Sequence, residues 1–155
     1  MLQTAIETLN DLILMNNDRI KGYERALKDN KSKHEDLNLL FREMIEQSTK
    51  FNEELIVLVR EAGSEPETEG SLSGKLHRTL MDFRAAFAGN NIRKRLLIEC
   101  EKGEDASKET YSEALHEDNG LNDMQREIIA TQAKAQSYSH DKVKTLRDEA
   151  LQGKQ

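Results

Sequence analysis

The chain has 155 residues, enough for one domain, 1–155, that buries roughly 70% of the surface its unfolded form exposes. One proline, eight glycines, no tryptophan and 5% aromatic residues leave long helices few breakers and exclude a sheet-built fold. Charged residues make up 34% and alternate in sign, and the net charge is −6, which argues against disorder and against non-specific nucleic-acid binding.

The first helix is read over residues 2–29. Its apolar positions, Leu2, Ile6, Leu9, Ile13, Ile20, Tyr23 and Leu27, recur at steps of three and four with Asn16 filling the one polar step. Asp29, Asn30, Lys31 and Ser32 break the pattern. The second helix, 34–62, carries Leu37, Phe41, Met44, Ser48, Phe51, Leu55, Leu58 and Ala62, and Gly63 is placed to stop it. Gly63 to Ser71 holds the only proline and reads as a loop. A shorter amphipathic piece, 72–88, follows with Leu72, Leu76, Leu80, Phe83 and Phe87. The third long helix, 92–118, presents Leu97, Cys100, Glu104, Ser107, Tyr111 and Leu115. The fourth, 121–151, presents Leu121, Met124, Ile128, Ala135, Val143, Leu146 and Ala150. Each long segment would span roughly 40 Å at the α-helical rise.

Short links join the first helix to the second and the third to the fourth, which makes each pair antiparallel. The pairs are separated by about 28 residues that contain the short helix. A connection of that length travels along a bundle, as in ferritin-like folds. The predicted fold is therefore all-α: an antiparallel ferritin-like four-helix bundle with a long crossover and a short fifth helix between the second and third. Shifting the third helix back by 84 residues, a whole number of heptads, lays Leu97 on Ile13, Cys100 on Asn16, Glu104 on Ile20 and Tyr111 on Leu27.

Cys100 is the only cysteine, so no intrachain disulfide can form. Residues 1–19 lack a basic start, and their longest apolar run, Leu12 to Met15, is too short for a signal peptide or a membrane span. A cytoplasmic protein without membrane or nucleic-acid partners is expected.

Leu9-Asn10-Asp11-Leu12-Ile13 followed by Asp18 and Gly22-Tyr23 is similar to the first helix of an uncharacterised bacterial ferritin-like family, a domain of unknown function. Gly70-Ser71-Leu72 with Leu76-His77-Arg78, then Glu99-Cys100-Glu101 with Gly103-Glu104-Asp105 and Tyr111, and His140-Asp141 with Leu146-Arg147-Asp148 extend the resemblance over nearly the whole chain. It implies a ferritin-like bundle of unassigned activity, loosely linked to stress responses. It also implies an acidic residue at the first-helix position that Ile20 takes here, so this chain departs from the pattern at a ligand position.

Ferritin-like bundles hold two iron or manganese ions with a Glu from each of two helices and a Glu-x-x-His from each of the others. Neither the second nor the fourth helix has Glu-x-x-His. Glu104 is the one carboxylate on a core seam, and a buried carboxylate needs a cation, a proton or an edge position. Pairing with Lys or Arg, or an edge position, is the expectation, with a reduced metal site as the alternative. Its ligands would be Glu104, Glu101, Gln132, Gln136 and His140.

The remaining signals are ordinary. Cys100, flanked by Glu99 and Glu101, reads as an inert thiol. Tyr23, Tyr111 and Tyr138 read as core aromatics, and His34, His77 and His116 as helix-end or hydrogen-bonding residues. Gly70-Ser-Leu-Ser-Gly74-Lys75 has Leu76 where a phosphate loop needs Ser or Thr. Arg93-Lys94-Arg95 reads as a solvated cluster. The chain is thus expected to be a non-enzymatic bundle, without a cofactor, that works through its surfaces as a homo-oligomer or with another protein. The alternative is an oxidoreductase-type protein binding iron or manganese near Glu104; a small apolar ligand between the helices is a third class.

Overall fold

In the computed structural model of the chain, the described residues are 2–69 and 91–153. They form four helices: α1 (Leu2–Asn30), α2 (Glu35–Glu61), α3 (Ile92–His116) and α4 (Asp123–Leu151). These bounds differ from those read in the sequence by at most two residues. The short helix expected at 72–88 lies outside the described residues, as does His77.

Side chains set the helix ends. The Asn91 side chain accepts from the Lys94 backbone N–H and starts α3. Asn122 and Gln125 form a reciprocal capping box at the start of α4, satisfying two amides that the helix cannot. The α3–α4 link carries Gly120 at φ +77°, a left-handed conformation that glycine adopts without Cβ strain.

The most extensive packing joins α1 to α2 and α3 to α4, with α1 also against α3 and α2 more thinly against α4. Two apolar clusters define the helix directions. One joins the first half of α1, the ends of α2 and α3, and Ile129 near the start of α4. The other joins Tyr23 and Ala26 of α1, the starts of α2 and α3, and Val143 and Ala150 late in α4. Helices α1 and α4 therefore run one way and α2 and α3 the other.

The seam of α2 is buried from Leu37 through Leu58 as its spacing predicts, while Ala62 at its C-cap is partly buried. Elsewhere the buried face is displaced. In α1 it runs through Ala5, Leu9, Leu12, Asn16, Arg19, Tyr23, Ala26 and Asn30, so Ile6, Ile20 and Leu27 sit half-buried on its flank. In α4 it runs through Gln125, Ile129, Gln132, Gln136, Ser139, His140 and Val143. Met124 and Tyr138, expected inside, are 54% and 75% exposed. Glutamines and serine that can be hydrogen-bonded internally take positions that an apolar scan assigns to larger neighbours.

Candidate functional site

Between the two apolar clusters lies a polar layer to which every helix contributes. At its centre Arg19 of α1, 6% exposed, meets Glu104 of α3, 1% exposed. Arg19 Nε donates to Glu104 Oε2 at 2.8 Å and Nη2 to Oε1 at 2.9 Å, a two-pronged ion pair. The guanidinium also donates to Ser48 Oγ (2.8 Å) and Met44 Sδ (3.2 Å) on α2. Tyr23 donates its hydroxyl to Glu104 Oε2 at 2.8 Å, and Gln136 of α4 donates to Oε1 at 3.3 Å and to the Glu104 carbonyl at 3.0 Å. The carboxylate thus has four donors and one full counter-charge.

The layer continues away from the ion pair. Ser48 donates to Asn16 Oδ1 (2.8 Å), and Asn16 donates to the Tyr111 hydroxyl (3.1 Å). Tyr111 donates to Gln132 Oε1 (2.8 Å), and Gln132 donates to the Phe51 carbonyl and to Glu54. A buried chain of this kind is worth having only when its members are satisfied; here Gln136 Oε1 alone among these groups has no hydrogen-bond partner within the described residues.

The electrostatics follow from burial. Burial works against the charge of Arg19, but the Glu104 carboxylate more than offsets it, and the guanidinium pKa is raised. Burial and then Glu104 push Tyr23 well above the ordinary phenol range, and burial raises Tyr111. Burial, then Glu104 and Glu99, likewise hold the Cys100 thiol protonated, well above its usual range. A groove between α1 and α3, lined by Met15, Gly22, Ala26, Cys100 and Gly103, opens onto the ion pair.

A second cluster lies on the α3–α4 edge. Glu101 is 6% exposed, His140 is 7% exposed, and the Asp105 side chain is half exposed. His140 Nε2 is 2.5 Å from Asp105 Oδ1 and 3.9 Å from Glu101 Oε1, while Nδ1 is 3.0 Å from Asp141 Oδ1. Arg147 approaches Glu101 Oε2 at 3.2 Å. Burial raises the Glu101 pKa, and a hydrogen-bonding contact with the Asp105 carboxyl adds to it. For His140 burial lowers the pKa, but the hydrogen bonds to Asp141 and Asp105 outweigh it and raise it.

The five residues singled out in the sequence separate accordingly. Glu104 and Gln136 sit together at the ion pair, Gln132 belongs to the Tyr111 end of the layer, and Glu101 and His140 meet on the α3–α4 edge. The cation expected for Glu104 is Arg19, which apolar spacing skips in favour of Ile20. Asp105 was also missed, because it stands one turn from Glu101 on a face that reads as solvent. Arg93 and Arg95 are engaged, at 2.7 Å with Asp36 of α2 and 3.6 Å with Asp29 of α1.

A family described as Domain of unknown function (DUF2383) matches residues 4–117. The chain belongs to that family. The match takes in both partners of the central ion pair, and its description names no reaction. No curated protein matches the chain. Among the described residues, no helix is long and apolar enough to cross a membrane.

Proposed function

We propose that the chain is a ferritin-like bundle whose centre is held by an ion pair where related bundles bind metal, and that it works without catalysis, through its surfaces, as a homo-oligomer in the cytoplasm. One observation carries this reading: the Arg19 guanidinium lies between α1, α2 and α3 with its donors on Glu104, Ser48 and Met44. A permanently charged guanidinium at that place repels a divalent cation and takes up the carboxylate a cation would need.

The ferritin-like crossover is supported by the parallel course of α2 and α3, which puts the end of α2 and the start of α3 at opposite ends of the bundle. Past the end of α2, Glu67 N–H donates to Asn10 Oδ1, and Asn17 donates to the Thr68 carbonyl. The chain leaving α2 is thus already climbing along α1.

The surface proposed for self-association is the outer face of α2 and α4. Lys142 of α4 reaches Glu43 of α2, and Ser139 donates to Gln47. Leu39 and Tyr138 lie one turn before Glu43 and Lys142, and Val57 lies one turn beyond Glu54, so all three share that face. They are 59%, 75% and 53% exposed. A two-fold axis would set this patch against itself. Sedimentation velocity tests it: the protein should run as a dimer or larger, and V57E/Y138E should run as a monomer with unchanged helicity. A wild-type protein that is monomeric at every concentration overturns the reading.

A further inference from the structure

We infer that Glu101, Asp105 and His140 form a binding site for one divalent transition-metal ion of the zinc class, on the α3–α4 edge and separate from the central ion pair. Glu101 and Asp105 stand one turn apart on α3, so both carboxyls face the same way, and His140 meets them from α4. One atom from each residue can be chosen so that all three lie within 4.8 Å of one another, and among the described residues this is the grouping of three that does so. Zinc bound at about 2.0–2.2 Å in a tetrahedron sets its ligand atoms roughly 3.3 Å apart. The His140 Nε2 separations, 2.5 Å to Asp105 Oδ1 and 3.9 Å to Glu101 Oε1, straddle that value.

Unlike Arg19, which holds both oxygens of Glu104, Arg147 approaches one oxygen of Glu101 and leaves Oε1 turned to His140. Asp141 takes Nδ1 of His140, and an outer carboxylate of this kind is the usual partner of a metal-bound histidine, since it fixes the tautomer with Nε2 free to ligate. One imidazole and two carboxylates suit zinc or a neighbouring first-row ion better than calcium or magnesium. The half-exposed Asp105 leaves the site open to solvent, so water completes the coordination.

The test uses the full chain stripped with chelator and titrated with zinc by calorimetry, with cobalt as the spectroscopic reporter. One ion per chain is expected, with a visible cobalt band. His140→Ala should weaken binding by at least about 100-fold, and Asp141→Asn by about 10- to 100-fold, both with unchanged helical circular dichroism. Glu104→Gln and Glu46→Ala should bind as the parent does. Absence of stoichiometric zinc, or binding undiminished in His140→Ala, overturns the site and marks any bound ion as adventitious on an acidic surface. The central ion pair stands or falls separately, since its own test turns on Glu104.

Discussion

Removing one partner of the central ion pair should cost far more than removing both. The side chains of Arg19 and Glu104 are 2% and 1% exposed, so neither charge has water to fall back on. Arg19→Met keeps the apolar stem but leaves the Glu104 carboxylate with Tyr23 and Gln136 as its donors. Glu104→Gln keeps the shape but leaves a guanidinium that cannot lose its proton. Each single change should therefore cost about 3–5 kcal/mol, as for other buried pairs broken on one side. For a domain of this length that is a fall of roughly 10 °C in Tm. Arg19→Met with Glu104→Gln removes both charges and strands only neutral groups, so it should cost no more than about 2 kcal/mol. Urea unfolding followed by circular dichroism gives all three values, and the double-mutant cycle gives a coupling of about 3 kcal/mol or more. Single changes costing under about 1 kcal/mol, with the double equal to their sum, would refute a buried, mutually dependent pair.

Other consequences can be read with simple assays. Tyr23 and Tyr111 have raised pKa values in the folded state, so it binds their protons more tightly than the unfolded chain does; their contribution is intact below pH 10 and is lost as pH rises above it. Their tyrosinate absorbance should rise only together with loss of helicity, with Y23F and Y111F assigning the signal; ionisation in the intact helical protein would count against their burial. Gly22 lies inside α1, and a Cβ built there meets nothing within 4 Å among the described residues, so Gly22→Ala should stabilise by about 0.5–1 kcal/mol in urea titration. A destabilised variant would mean that the groove beside it is filled. The Cys100 thiol, held protonated by burial and two carboxylates, should react with iodoacetamide at pH 8 at least about tenfold more slowly than the urea-unfolded chain; equal rates would contradict that setting.

Helix positions were legible because breakers are few and their placement is informative: Gly63 at φ +85° follows α2, and Asn122 with Gln125 opens α4. The rotation of each helix was legible only where size and polarity agree. In α2 the large apolar residues are also the buried ones. In α1 they are not: Arg19 enters the core because Glu104 waits there, and no pattern in α1 alone reveals a partner 85 residues away. Gln132 and Gln136 stand in the sequence as candidate ligands beside Glu104, but their separate partners, Tyr111 for one and Glu104 for the other, show only in the packed helices. Glu104 itself was legible as a carboxylate on a seam in need of a cation. Asp105 became part of a cluster only through His140, a helix away.

The most direct test of an ion pair in place of a central metal is anaerobic titration of the stripped protein with ferrous iron, comparing the parent with Glu104→Gln and His140→Ala. Glu104→Gln should leave iron binding unchanged, and whatever iron the parent holds should be lost in His140→Ala. Stoichiometric iron that disappears in Glu104→Gln and persists in His140→Ala would place a metal at the bundle centre and contradict the account.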